Sequence, residues 1–522
     1  MMKTLHKKYT IALLATALLT GACEKDLQQL NPNQQTSATF WQNQEDAIKG
    51  INATYQTLTI DGGYMRSTPL LLDTRGDDVR SNSPWDQMYN SGKFALNAGN
   101  SDIYGWAFGA YYEGVSKANQ VLDFVPGIKM DEEVKKRVLG QAYFLRGLYF
   151  YHLVNMFGNV ILPTTSVKST KDFYVKQSTE AEGWAQVIND LKKASELLPV
   201  SYDNVTGPDK GQKGRATKGA ALAFLGKAYL FTKKYPEAAS QFKAVMDLGI
   251  YDLVAEYRDN FTEKNENNKE SLFEVQFSRD AGGKDLNWGG EPQPGWGVVS
   301  ARAITYAPRG FGWTDVQPTR SSFNEFLLEK TISGDDDPRL VATMFYNKPG
   351  LKLYGKLFSE NYKNNPADLN DLFVRKYEND DSGRSDEFDW RSGINERIMR
   401  YADVLMMYAE CLNETGQTAQ AYQYIQKVRS RVNLPDLAAV RPNMTAAQMR
   451  DQLAHERLLE FSFEGHRFDD IKRWGWLSDP AKLAELKQRD PEFNTYQKGR
   501  EFFPIPIAEI NTNPGVKQNQ SY

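Results

Sequence analysis

Cysteine is nearly absent from this 522-residue chain, with Cys23 and Cys411 the only two. Cys23 closes an N-terminal targeting segment and Cys411 lies among apolar neighbours in a predicted helix. The pair gives no disulfide framework and too few thiolates for a zinc site. Histidine is scarce as well: His6, His152, His455 and His466 are scattered. No H-E-x-x-H spacing occurs, because His455-Glu456 is followed by Arg-Leu-Leu. Neither a metal nor a cofactor is expected. An excess of positive charge is also missing. The net charge of −3 provides no global field for nucleic acid. Long apolar runs are lacking beyond the N-terminus, and Phe144 to Phe157 is interrupted by Arg146, Gly147, His152 and Asn155. What remains is ordinary globular composition, 41% hydrophobic and 25% charged, with an unusual 12% of aromatic residues. The length suits two or three average domains or one large helical array.

The N-terminus reads as an address. Lys3, His6, Lys7 and Lys8 precede the apolar run Ile11 to Leu19, which is too short to span a bilayer. Leu19-Thr20-Gly21-Ala22-Cys23 resembles a bacterial lipobox, with Thr20 where leucine is usual and Leu19 one place further out. The expectation is a signal peptide over residues 1–22 and lipidation of Cys23. Acyl chains hold a folded domain at a membrane surface in proportion to their buried methylenes.

Helical periodicity is strongest from Glu396 to Trp476. Ile398, Tyr401, Leu405, Tyr408 and Leu412 recur at steps of three and four and predict one helix face. Ala421, Ile425, Val428 and Val432 predict a second helix that makes a hairpin with the first. Thr445 and Gln448 form a capping box that opens a third, carrying Met449, Leu453, Leu459 and Phe463 and stopping at Gly465. Earlier helices are expected over Gln44–Leu58, Trp106–Val125, Glu132–Phe157 and Glu180–Leu198. Leu225-Gly226, Tyr229, Ala238 and Phe242 match tetratricopeptide positions, and Tyr408-Ala409, Leu412, Ala421 and Ile425 repeat the frame. Residues 24–42 read as an extended tether, and residues 61–104 as a long loop rich in Asp, Asn, Ser and Gly. Residues 250–395 read as irregular, punctuated by Gly and Pro, with a strand over Leu272–Phe277.

Four ordered signatures carry a resemblance. Asp26-Leu27, Pro32, Phe40-Trp41 and Ala47 to Tyr55 form the first. Arg137, Ala142 to Tyr151, Phe157-Gly158 and Pro163 form the second. Arg400 to Glu410, Val428-Arg429, Glu456-Arg457, Glu460, Glu464 to Arg467, Asp470 and Arg473-Trp474 form the third. Phe503-Pro504, Pro506, Glu509-Ile510, Asn513-Pro514 and Tyr522 form the last. Together they resemble the SusD/RagB family of Bacteroidetes outer-membrane lipoproteins. The resemblance implies a mainly α fold, a tetratricopeptide-like scaffold with a large loop-rich insertion and a few short strands. It implies one domain over residues 23–522, with an N-terminal part about 24–235, a variable part about 250–395 and a C-terminal signature part about 396–522. It implies a lipid-anchored protein of the outer membrane, facing the cell exterior, that captures glycan and caps a SusC-like TonB-dependent transporter, without catalysis.

A sugar chain needs aromatic faces for its C–H surfaces and amide, carboxylate or guanidinium groups for its hydroxyls. The first loop region offers Asp73, Arg75, Asp77, Asp78, Arg80, Asn82, Trp85 and Tyr89; the second offers Trp288, Trp296, Tyr306, Phe311 and Trp313. In similar proteins the ligand site is built from these two regions. The ligand-binding candidates are Asp73, Arg75, Asp78, Arg80, Trp85, Tyr89, Trp288, Trp296 and Trp313. Trp184, Trp390 and Trp474 are expected in the core. Asp77-Asp78 lacks the separation of a glycosidase acid pair and reads as hydroxyl-binding or solvated. Asp335-Asp336-Asp337 lacks the alternating spacing of a calcium loop and reads as a turn or helix start. The charged run from Arg457 to Arg473 reads as a structural ion network. Capture of a peptide or another nutrient, a protein-binding scaffold and a glycoside hydrolase are the competing readings.

Overall fold

The computed structural model describes residues 37–279 and 298–522. Trp288, Trp296 and Cys23 lie outside the described residues, so the expectations placed on them stay as such. The molecule is mainly helical, and helix boundaries follow local signals. Helix α1 (Gln44–Gln56) starts at Asn43, whose side chain forms a capping box with Asp46. α2 spans Asp102–Phe124 and α3 Glu132–Phe157. Asp131 caps α3 by accepting from the Glu133 and Val134 amides at 3.0 Å, and Gly158 ends it at φ +72°. α4 (Glu180–Leu197) opens on a Thr179–Glu182 capping box. α5 (Lys218–Phe231) and α6 (Tyr235–Asp247) form a hairpin, as do α7 (Tyr401–Glu414) and α8 (Thr418–Arg431). α9 (Ala446–Phe461) follows the predicted Thr445–Gln448 box. It ends at Phe461, four residues before Gly465, because Ser462 is already extended.

These helices pack in sequence, α2 on α3, α3 on α4, α4 on α5 and α5 on α6, and α6 then meets α7 across a gap of more than 150 residues of chain. The two tetratricopeptide frames therefore stack in space. Inside the first, Gly226 is needed because a Cβ there would lie 2.6 Å from the buried Phe242 ring. One apolar cluster runs from Ala47 to Val516 through all of them.

Two short strand pairs tie the irregular segments to the rest of the molecule. Their strands are β1 (Val79–Ser81), β2 (Ser271–Val275), β3 (Val316–Pro318) and β4 (Glu396–Arg400). β1 pairs antiparallel with β3, and β2 with β4. β4 corrects the predicted first helix, which begins only at Tyr401. Glu396, Arg397, Met399 and Arg400 are buried and Ile398 partly so, leaving no alternation to mark a strand. The charged members are buried because they are paired: Arg397 with Glu274 at 3.4 Å, Arg400 with Glu464 at 2.7 Å, and Glu396 with Arg302.

Residues 61–104 are also more ordered than a loop. They hold a helix over Ser67–Asp73, strand β1 and a helix over Asp86–Gly92. No described helix is long and apolar enough to cross a membrane.

Candidate functional site

The β1–β3 pair brings the two candidate regions together. Ser81 faces Val316, and the ladder continues as the Asn82 amide donates to the Asp315 carbonyl at 2.7 Å. The chain then turns through Ser83, whose hydroxyl accepts from the Trp85 amide at 3.0 Å. This delivers Trp85 to the surface at the start of the Asp86–Gly92 helix. On the other strand, Thr314 takes a left-handed φ of +57°, held by its hydroxyl on the Ala307 carbonyl at 2.9 Å. Trp313, just before it, is tied to the Ile304 carbonyl at 2.8 Å.

Each of these tryptophans has an aromatic partner. The Trp85 and Trp106 rings lie 5.6 Å apart at 35°, and the Trp313 and Trp390 rings 5.1 Å apart at 74°. All four are half-buried. Met65, Trp313 and Trp390 each pack against the buried cluster of Val299, Ala301 and Ile304, while the residue after Met65, Arg66, holds its guanidinium 5.5 Å from both the Trp85 and Trp106 rings. Arg66 is fixed by a two-pronged pair with Asp61, with Nε on Oδ1 at 2.7 Å. Asp315 is buried near Ser83 and Arg66. Burial raises its carboxyl, and the Ser83 hydroxyl and Arg66 draw it part of the way back, to about 6. The result is an aromatic band of two tryptophan pairs flanking the end of the β1–β3 ladder, the first against Arg66 and the second beginning two residues before Asp315.

The remaining sequence candidates go elsewhere. Arg80 points out from β1, donating to Gln317 at 3.0 Å and lying 3.5 Å from Asp371. Tyr89 is 40% exposed, one turn beyond Trp85, with the Lys93 ammonium 3.6 Å over its ring. Asp73, Arg75 and Asp78 are corrections, since all three are interior. Asp73 accepts from Arg302 and Tyr306 at 2.8 Å and from the Gly465 amide at 2.7 Å. Arg75 stacks among Phe94, Phe468 and Phe503, 4.4 Å from the last two. Asp78 is raised to about 7 by burial and then by the carboxylates of Asp77 and Asp73. Asp77 is not solvated either: it is buried against Arg467 and Arg489. The acids Asp77 and Asp78 thus belong to the interior, not to a cleft. Tyr306 is buried and Phe311 stacks on Tyr354. Trp184 is core as expected, but Trp390 joins the band.

Sequence reasoning misses Arg66, Trp106 and Asp315. Trp106 reads as one more helical aromatic, and only the non-local β1–β3 pairing places the others beside Trp85. Among the described residues one group, Glu329, His455 and Glu456, has donor atoms within 4.8 Å of one another. Both His455 nitrogens are already engaged, by Glu325 at 2.8 Å and Glu329 at 3.1 Å. Burial disfavours the charged ring, but these two bonds outweigh it and lift His455 to about 9. A protonated imidazole bridging carboxylates fits an ion pair, not a metal ligand.

Asp337 caps the helix Pro338–Thr343, so the acidic triplet opens a helix as expected. The Arg457–Arg473 run is a structural ion network as expected, but it pairs largely with other elements: Arg457 meets Asp470 at 2.7 Å within the run and Asp403 at 2.6 Å outside it, Arg467 meets Asp77, and Arg473 meets Glu410.

Comparison with known proteins places this architecture. The SusD family model matches residues 269–522, and a second, described as starch-binding associating with outer membrane, matches residues 25–230. A SusD-like protein of Formosa agariphila, P25, is 25% identical over 96% of this chain and 96% of its own. The crystal structure of a SusD superfamily protein from Bacteroides vulgatus aligns at TM-score 0.78 with 28% identity, over 93% of this chain and 100% of that one. A laminarin binding SusD-like protein aligns at TM-score 0.73 with 26% identity, over 92% of this chain and 100% of that one. These solved structures share the tetratricopeptide-like helical fold described above. Matched by two family models in order and by relatives along nearly its whole length, the chain belongs to the SusD-like family.

Proposed function

We propose that this protein is a cell-surface glycan-binding lipoprotein. The band of Trp85, Trp106, Trp313 and Trp390 captures an oligo- or polysaccharide and passes it to a SusC-like TonB-dependent transporter in the outer membrane. The observation that carries the reading is the set of two partly exposed tryptophan pairs that the β1–β3 ladder brings to one end of the molecule's irregular part. Tilted and edge-on rings offer apolar faces to sugar C–H groups, and the exposed Asn82 supplies polar atoms beside them, while Ser83, Arg66 and Asp315 are buried behind. The family model for the N-terminal half and the laminarin binding relative support glycan as the ligand class. Acylation of Cys23 anchors the protein, and the cleaved leader is residues 1–22.

The test is affinity electrophoresis of the full-length protein in detergent through gels containing polysaccharide. Retention by at least one glycan, lost in Trp85→Ala and in Trp313→Ala with the thermal transition kept, supports the reading. Retention unchanged in both variants moves the site elsewhere, and release of shortened oligosaccharides overturns it in favour of a hydrolase. Palmitate labelling that persists in Cys23→Ser overturns the anchor, and co-purification with a TonB-dependent transporter tests the partner.

A further inference from the structure

Trp390 enters the band on a segment with a buried carboxylate at its base. The Glu387 amide donates to the Phe311 carbonyl at 2.8 Å, and the Trp390 amide to the Glu387 carbonyl at 2.9 Å. The Glu387 carboxylate is buried and accepts from the backbone and side-chain amides of Asn379, both at 3.1 Å. It lies 3.2 Å from Arg384 and 2.8 Å from the Tyr354 hydroxyl. Tyr354 comes from the turn between the strands Lys352–Leu353 and Lys356–Leu357, and its ring stacks on Phe311 at 5.0 Å. The same hydroxyl lies 2.8 Å from a second buried carboxyl, that of Glu378.

A phenol hydroxyl carries one proton and can satisfy only one of two carboxylates. Were both charged, the other contact would set lone pairs against each other at 2.8 Å in the interior. A second proton therefore sits in this chain, and the surrounding donors show where. Glu387 has Asn379 twice and Arg384 besides Tyr354. Glu378 has Tyr354 alone, and its Oε1 has no hydrogen-bond partner. Glu378 is thus the acid: its O–H donates to Tyr354, and Tyr354 donates to the Glu387 carboxylate. The other charges facing Glu378 are already engaged. Arg258, from the Tyr257–Phe261 turn, donates to the Glu378 backbone carbonyl at 2.7 Å and pairs with Asp380 at 3.0 Å. Arg375 pairs with the same Asp380 at 3.0 Å. Burial first and Glu387 second push the Glu378 carboxyl well above its ordinary value, Asp380 adds to the rise, and Arg258 offsets little of it.

We propose that one buried proton, held by Glu378 and relayed through Tyr354 to Glu387, fastens the Trp390 segment, so that its loss at alkaline pH frees Trp390 and weakens glycan binding. Glu378, Tyr354 and Glu387 are positioning residues behind the band. The effect on affinity rests on the glycan-binding reading above and gives that site a regulation. The folded state favours the neutral acid, so the lock is whole below the ordinary glutamate value of 4.5 and is lost as pH rises through the raised one. Ionised Glu378 sets two buried charges against one hydroxyl. The segment that can yield to bring it water is 379–391, where Asp381, Gly383, Phe388 and Asp389 are already exposed.

The test follows the full-length protein from about pH 7 to about 10 beside Glu378→Gln, whose amide stays neutral and still donates to Tyr354. Hydrogen exchange read by mass spectrometry, corrected for the intrinsic rate, reports on residues 379–391. Affinity electrophoresis in gels of laminarin, amylopectin and mannan reports on binding. Asp315, at about 6, and His455, at about 9, titrate alike in both proteins, so the difference between them isolates Glu378. In the unaltered protein, protection of 379–391 is expected to fall with rising pH, and retention to weaken about two- to tenfold, the weight of one edge-on ring contact. In Glu378→Gln both are expected to stay level. Tyr354→Phe keeps the ring on Phe311 but breaks the relay, and is expected to expose 379–391 already at neutral pH. Protection that falls equally in the unaltered protein and Glu378→Gln, or in neither, overturns the lock, as does full protection in Tyr354→Phe. Protection that EDTA removes and calcium restores puts a cation in place of the proton and overturns it too. A pH-dependent lock with level retention overturns its link to the band. Retention by no glycan overturns the glycan-binding reading itself, while the exchange measurement still decides the lock.

Discussion

Arg400 and Trp85 belong to regions built on opposite terms. Around Arg400 the charges are inside. Its guanidinium meets Glu464 at 2.7 Å, Glu460 at 3.0 Å and Glu270 at 2.5 Å. Arg431 joins Glu270 at 3.1 Å, and Arg339 lies 3.3 Å from Glu460 and 3.5 Å from Glu456. The partners come from β4, α8, α9 and two segments of the irregular part, so this buried lattice binds the insertion to the helices. Around Trp85 the large apolar rings are only partly buried. Residue types commonly associated with chemistry thus build the architecture here, while residues commonly associated with cores form the proposed binding surface. Burial makes the difference: a charge in the interior is tolerable only when paired, and a partly exposed aromatic ring keeps some apolar surface toward solvent.

The largest effect that would break this contrast lies in the lattice. Burial alone would push the Glu460 carboxyl up, but Arg431, Arg400 and Arg339 outweigh it and hold it far below the usual carboxylate range. Glu460→Ala takes one carboxylate away from three buried guanidinium groups and leaves their charge in excess of the remaining partners, for an expected loss of about 3–5 kcal/mol in denaturant unfolding. A variant that unfolds at the same denaturant concentration as the unaltered protein shows that the lattice is not what joins the two halves.

A smaller effect comes from pH. His455 is lifted from 6.5 to about 9 by Glu325 and Glu329 despite burial. Its folded-state value exceeds its unfolded one, so its contribution is whole below about 6.5 and is lost as pH rises through about 9. Glu325 and Glu329 are held near 2, where burial is outweighed first by the His455 bond, and their contribution is lost as pH falls toward that value. The melting temperature is therefore expected to fall between pH 6.5 and 9, by an amount equivalent to at most about 3 kcal/mol, and His455→Gln is expected to flatten that slope. An unchanged slope in the variant assigns it to other groups.

The contrast also explains which parts of the molecule the sequence reveals. α3 is legible to the residue because Asp131 and Gly158 mark its ends chemically. Gly226 and Phe242 announce the repeat because a close contact demands them. β4 reads as helix in the sequence, since Glu-Arg-Ile-Met-Arg offers no alternation when both faces are buried. Asp73, Arg75 and Asp78 read as loop ligands because charge density suggests solvent, and only the three-dimensional pairing of Asp73 with Arg302, 229 positions away, reveals the opposite. In the site, local irregularity is enough to name Trp85 and Trp313. It is not enough for Arg66, Asp315 and Trp390, because their positions are set by tertiary contacts, Arg66 with Trp85 and Trp106, Trp390 with Trp313, and Asp315 beside the strand pair, that no local pattern marks.

On the binding side the effects are smaller still and appear in affinity rather than stability. Trp85→Ala removes one stacked face of the band and is expected to weaken glycan binding by about tenfold, near 1.4 kcal/mol, with little change in melting temperature. A fall in stability as large as that of Glu460→Ala would make Trp85 a core residue and erase the distinction between the two regions.

The smallest expected effect separates contact from support within the band itself. Trp390 meets Trp313 edge-on at 5.1 Å, an arrangement worth about 0.5–1.5 kcal/mol beyond area burial. If Trp390 mainly orients Trp313, Trp390→Phe keeps an aromatic edge and is expected to weaken binding less than Trp313→Ala does. The two changes together should then do no more harm than Trp313→Ala alone, because a positioning residue has nothing left to position. A double-mutant cycle by isothermal titration with the retained glycan measures this directly. Additive losses would instead put Trp390 in contact with the sugar and lengthen the ligand-facing band by one ring.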